Sequence, residues 1–96
     1  MAVDFLISRG FTILDRNFHT RFGEIDIIAL KENILHFVEV KYSKKYEAIY
    51  KIDAAKLRKI IKSADIYMSK KGLNMDYQFD AVITGSEIEF LENITF

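Results

Sequence analysis

The sequence has no cysteine, no proline, no tryptophan and only four glycines. Lack of cysteine rules out a disulfide framework, a thiolate zinc site and a cysteine nucleophile, and it fits a reducing compartment. Any metal would have to be held by oxygen or histidine. Lack of proline, of low-complexity tracts and of solenoid repeats leaves nothing to mark a linker, so residues 1–96 read as one domain. No apolar run approaches the roughly 18 residues of a membrane span, and the N-terminus lacks a signal peptide's basic region and cleavage site. The expected location is cytoplasmic, without a membrane partner.

Net charge is also missing, since 14 basic and 14 acidic side chains cancel. The sum conceals an uneven distribution. Residues 1–40 carry 4 basic and 6 acidic groups, residues 41–71 carry 10 and 3, and residues 72–96 carry 0 and 5. A basic middle third between acidic flanks is compatible with a polyanionic partner that the net charge alone would argue against. Eight Phe and five Tyr, with many Ile, must supply most of the core.

Periodicity gives the element order. Residues 2–9 read as the last turns of a helix that Gly10 closes, and the chain starts abruptly, as though something precedes it. Residues 11–18 and 24–30 alternate as a hairpin that turns near Arg21-Phe22-Gly23. After the polar turn Lys31-Glu32-Asn33, the β-branched and aromatic run 34–42 predicts a central strand. Asp53 is a plausible N-cap for a long helix whose apolar face is Leu57, Ile60, Ile61, Ala64 and Met68, with Lys70-Lys71 and Gly72 at its end. Strands over 77–84 and 87–96 follow, joined by Gly85-Ser86. The order is αβββαββ, an α/β fold with a mixed sheet.

Three charged residues stand out within these strands. Glu39 and Lys41 are two apart and share a strand face, while Asp26 interrupts an isoleucine run where a charge is costly to bury without a partner or a metal. A hairpin turn at 31–33 brings Asp26 across from Glu39 and Lys41. Two carboxylates and a lysine suit a magnesium phosphodiesterase: the hard cation takes oxygen ligands and polarises the phosphate, and the ammonium orients water and stabilises developing charge. Glu24, on the face of Asp26, is a candidate outer-shell group. A solvent-facing Glu-x-Lys ion pair with Asp26 answering Lys41 or an arginine explains the same spacing.

The motifs Gly23-Glu24-Ile25-Asp26-Ile27-Ile28-Ala29 and Phe37-Val38-Glu39-Val40-Lys41 resemble the bacterial YraN family of uncharacterised proteins. That family is related to archaeal Holliday junction resolvases in the PD-(D/E)xK nuclease superfamily. Ile13-Leu14, Arg16-Asn17, Lys56, Phe79-Asp80-Ala81-Val82 and Ile94-Thr95-Phe96 look like further landmarks, so the likeness runs nearly the whole chain. It implies a restriction-endonuclease-like core whose first helix begins before Met1. It also implies Asp26 and Glu39 as ligands of Mg²⁺ or Mn²⁺, the Val40 carbonyl as a third, and Lys41 as the catalytic lysine.

Lys44, Lys45, Tyr46 and Lys51, with Tyr42 and Tyr50, read either as a phosphate-contacting arm with stacking rings or as a solvated loop. Lys56, Lys59 and Lys62, with Arg58, either continue that arm or form an ordinary polar helix face. His36 and His19 have no histidine partner and suggest core and surface roles rather than zinc. The expected activity is metal-dependent endonucleolytic cleavage of structured or branched DNA, with a homodimer permitted by an exposed apolar C-terminal strand. The alternative is a non-catalytic nucleic-acid-binding or interaction module that keeps the nuclease fold.

Overall fold

The computed structural model describes residues 1–42 and 54–94. Its elements are α1 (Ala2–Ser8), β1 (Thr12–Thr20), β2 (Gly23–Lys31), β3 (Ile34–Tyr42), α2 (Ala54–Lys71), β4 (Tyr77–Thr84) and β5 (Ile88–Leu91). The five strands form one mixed sheet in the order β1-β2-β3-β4-β5, antiparallel except for the parallel pair β3–β4. The architecture is α/β, as the periodicity predicts, and is consistent with a restriction-endonuclease-like core. No helix among the described residues is long and apolar enough to cross a membrane.

The helices cover opposite faces of the sheet. Beneath α2, Leu57, Ile60, Ala64 and Tyr67 pack on Ile25, Ile28, Leu35, Phe37 and Phe79. Beneath α1, Leu6 packs with Ile27, Ala29, Val38 and Val82. Burial of this aliphatic and aromatic surface is the main stabilising term. The sequence-based core needs one correction: Ile61 and Met68 only flank the cluster, whereas Tyr67 is 2% exposed. Tyr67 can be buried because its hydroxyl donates to Asp15 Oδ2 at 2.7 Å. The carboxylate and burial raise its pKa well above the ordinary tyrosine value, burial being the larger cause.

Turn chemistry sets the strand ends. Glu32 and Asn33 have φ of +53° and +63°, the two left-handed positions of a tight primed hairpin turn between β2 and β3. Gly10 has φ +90° and ends α1, with the Phe11 N–H returning to the Leu6 carbonyl at 3.0 Å. The last strand is shorter than its alternation suggests, β5 ending at Leu91. Beyond it Asn93 has φ +54° and gives its N–H to Asp80 Oδ1 at 2.8 Å, and the Ile94 N–H returns to the Phe79 carbonyl at 2.7 Å, so the chain stays beside β4 without regular pairing. Asp53, Thr95 and Phe96 lie outside the described residues.

The sheet is irregular where the charged residues fall. Ile25 packs under α2 and Ile27 under α1, although residues two apart in an even strand share a face, so β2 rolls over at Asp26. The adjoining β1 pairs Arg16 with Ile27 and Phe18 with Ile25, and the residue between, Asn17, has φ +51°. On the other side the β2–β3 ladder ends at the Ile27–Val38 pair. The two strands fork there.

Candidate functional site

Asp26 closes that fork with its side chain. Its Oδ2 accepts the Val40 N–H at 2.8 Å, replacing a ladder bond with a charge-assisted one. The Val40 amide, rather than its carbonyl, is therefore the group seen to engage Asp26. The α1 side of Asp26 opens on a cavity of about 290 Å³ lined also by Met1, Arg16, Asn17 and Val40.

Glu39 and Lys41, on alternate positions of β3, share a sheet face as their spacing predicts, and that face is the one covered by α2. Glu39 is 7% exposed, and its Oε1 receives Lys56 Nζ at 3.0 Å and Lys41 Nζ at 3.4 Å. A carboxylate buried this far needs paired charge, and two ammonium groups on one oxygen supply it. The Lys56 side chain, followed by burial, holds Lys41 below the ordinary lysine value, against the pull of Glu39. Burial works against the charge on Lys56, but hydrogen bonds with Lys41 and Glu39 and the nearby Asp26 carboxylate outweigh it and raise its pKa. Lys56 is thus an electrostatic neighbour of both Asp26 and Glu39, while the ion pairs with Lys41 and Lys56 are made by Glu39.

The expected residues are brought together unevenly. Glu39, Lys41 and Lys56 are in direct contact, with Asp26 adjoining through the Val40 amide. Lys56, read from sequence as an outward cation, instead turns into the site, while Arg58, Lys59 and Lys62 are exposed. Glu24 stands apart, with Oε1 3.6 Å from His19 Nε2. Lys44, Lys45, Tyr46, Tyr50 and Lys51 lie outside the described residues, and Tyr42 is 74% exposed. Among the described residues no group of three or more His, Cys, Asp or Glu converges as a metal cluster. Asp26 and Glu39 are the carboxylates here that could contribute oxygen ligands to a hard divalent cation, whose remaining positions water can fill.

A second cavity, of about 420 Å³, opens beside Lys56 on the α2 side. Its walls come from the β1–β2 hairpin tip and the first turns of α2, chiefly Phe22, Ala55 and Ile60, with Glu24 and Lys59 at its rim. Phe22 has Arg21 Cζ 4.9 Å and Lys62 Nζ 5.0 Å from its ring centroid. The only hint of this in the sequence is an aromatic residue at a turn beside a basic one.

A different buried carboxylate stood out in the sequence only as part of the landmark Phe79-Asp80-Ala81-Val82. Asp80, on β4, is fully buried and meets His36 Nδ1 at 2.5 Å, Gln78 Nε2 at 2.8 Å and the Asn93 N–H at 2.8 Å. Phe11 packs edge-on against His36, with ring centroids 4.8 Å apart. His36 thus has a core role, as its apolar neighbours in the sequence suggest, with Asp80 as its partner.

The sequence is similar to those of known proteins over its whole length. A model of the uncharacterised protein family UPF0102 matches residues 1–84. A UPF0102 protein of Campylobacter fetus is 49% identical over 98 residues, covering 100% of this chain and 88% of the relative. One from Nitratiruptor is 51% identical over 95 residues, covering 98% and 85%. One from Campylobacter hominis is 53% identical over 97 residues, covering 99% and 87%.

Proposed function

Because the chain belongs to the uncharacterised UPF0102 family, the YraN family of the sequence motifs, we propose that it binds structured or branched DNA and hydrolyses a phosphodiester with Mg²⁺ or Mn²⁺. The observation that carries this reading is Glu39, buried at the end of a central strand beside Asp26 and against Lys41 and Lys56. Asp26 and Glu39 would hold the cation, with the Val40 carbonyl as a third donor, and the cation would polarise the scissile phosphate. Lys41 orients the attacking water and offsets charge that develops on the phosphate. Its lowered pKa eases proton release from the ammonium. Lys56 neutralises the Glu39 carboxylate until the cation replaces it there, and the exposed Arg58, Lys59 and Lys62 supply positive charge nearby.

A non-catalytic nucleic-acid-binding module is favoured by one specific observation. Both carboxylates already have partners within the chain, Asp26 the Val40 amide and Glu39 two ammonium groups. A cleavage panel of linear, single-stranded and four-way DNA with Mg²⁺ or Mn²⁺, alongside direct Mn²⁺ binding, separates the readings. Asp26→Asn should abolish Mn²⁺ binding and cleavage while retaining DNA affinity, since asparagine can still accept the Val40 N–H. Binding of DNA that falls with salt, without cleavage of any substrate and without Mn²⁺ uptake, would establish the module instead.

A further inference from the structure

The cavity between the β1–β2 hairpin tip and α2 has a use that the carboxylate site does not absorb. It is preformed, because the tip is fastened to the helix. Thr20 Oγ1 donates to the Gly23 carbonyl at 3.1 Å and accepts the Phe22 N–H at 3.0 Å. It also lies 2.7 Å from the hydroxyl of Ser63, which is 1% exposed on α2. These bonds fix Phe22 against the helix instead of leaving it on a free loop. The cavity volume, about 420 Å³, is on the scale of small-ligand sites.

Its chemistry is that of a ring surrounded by cations. Phe22 forms an aromatic wall, Lys56 and Lys59 line the cavity, and Arg21 and Lys62 lie about the ring. Four cations favour a phosphate-bearing ligand, and the Glu24 carboxylate at the rim opposes it. A duplex would use the cations alone, because its stacked bases present only their edges. An unpaired nucleotide offers both a phosphate and a π face. Arg21 is exposed, so a base can replace it on the ring at little loss and the freed guanidinium can reach the phosphate.

We infer that this cavity receives one unpaired nucleotide of the DNA strand held at Glu39, with its base against Phe22 and its phosphate among Arg21, Lys59 and Lys62. The inference rests on the nucleic-acid part of the proposed function and not on cleavage. Lys56 links the two sites, since it lines the cavity and also reaches Glu39 at 3.0 Å. The unpaired nucleotide would therefore adjoin the scissile phosphate.

The test is fluorescence anisotropy, without divalent metal, on a short duplex and on the same duplex with a one-nucleotide, unpaired bulge. Wild type should bind the bulged duplex more tightly. Phe22→Leu should lose about tenfold on the bulged DNA and less than twofold on the perfect duplex, the size expected for one base–aromatic stack. Glu24→Gln should strengthen both. Arg21→Ala, a surface change, keeps the test valid if Phe22→Leu fails to fold: it should weaken bulged DNA more than duplex. Equal affinities in wild type, or equal losses on both DNAs in the variants, would overturn the inference while leaving nucleic-acid binding intact. No binding of either DNA at low ionic strength would remove both.

Discussion

Asp80 and Glu39 are buried carboxylates on neighbouring parallel strands, 0% and 7% exposed, yet their surroundings have little in common. Asp80 is held by an imidazole, a side-chain amide and a backbone N–H, groups belonging to strands or to the chain fastened beside them. Glu39 is held by two lysine ammonium groups on flexible stems, next to a fork in the sheet. Fixed partners make a structural knot. Mobile cations leave a carboxylate whose partners can be exchanged for a metal or a substrate without dismantling the sheet. Burial alone does not tell the two apart; the nature of the partners does.

Substitutions can break or sharpen that comparison. The largest effect is expected at the proposed site itself, where Glu39→Gln should lower Mn²⁺ affinity and DNA cleavage by on the order of 10²-fold or more, measured by electron paramagnetic resonance and single-turnover assays. Asp80→Ala should do the reverse. It should leave Mn²⁺ affinity unchanged while lowering stability by about 3 kcal/mol in urea unfolding, because His36, Gln78 and the Asn93 N–H lose a shared buried partner. If Glu39→Gln costs as much stability as Asp80→Ala, the two regions do not differ in kind.

A smaller effect tests the exchangeability of the cations. Lys56→Met removes one of the two ammonium groups on Glu39 Oε1 and should raise Mn²⁺ affinity on the order of tenfold. Unchanged or weaker Mn²⁺ binding would mean that Lys56 organises the site instead of competing for it. Lys41→Ala should leave Mn²⁺ binding closer to wild type and lower the cleavage rate.

The smallest effect is a control at a residue that bonds to neither of these carboxylates. Tyr67 keeps its proton in the folded chain to a higher pH than in the unfolded one, so its stabilisation is complete below pH 10 and is lost as pH rises above it. Tyr67→Phe should cost about 1 kcal/mol at neutral pH through the lost bond to Asp15 and should flatten the alkaline decline in stability. That decline is at most about 1.4 kcal/mol per pH unit for one proton. Lys41 contributes with the opposite sign, because its lowered pKa makes stability rise as pH climbs towards the unfolded lysine value.

Much of the fold is legible in local pattern. Strands β3 and β4 fall at the expected residues because runs rich in aliphatic and aromatic side chains, interrupted by only a few polar ones, fill a buried, two-sided place in the sheet. Gly10 and the Lys31-Glu32-Asn33 turn are legible for their backbone chemistry. What pattern could not supply was tertiary. Regular pairing of β5 stops before Asn93, which takes a left-handed φ and gives its N–H to the side chain of Asp80. Lys56 turning towards Glu39 depends on the rotation of α2 over β3, which helical spacing leaves undetermined. Tyr67 can be buried in the core because Asp15, 52 residues away in sequence, accepts its hydrogen bond. Asp26, Glu39 and Lys41 stood out because charge interrupts apolar strands, whereas Phe22 did not, since its importance depends on the cations that α2 brings to it.

The parallel pairing of β3 with β4 bears on how the chain acquires its structure over time. Strands β1, β2 and β3 follow one another through tight turns, so their contacts are local and close quickly. The β3–β4 pair instead joins residues such as Val38 and Asp80 that lie far apart in sequence, and the entropy of bringing them together must be met before the pair yields any gain. The meander is thus the natural nucleus, and the knot of Asp80 with His36 and Asn93 belongs to the late side of the barrier. Weakening that knot should quicken unfolding and leave the refolding rate close to wild type, so that the knot governs how long the native state lasts more than how fast it forms.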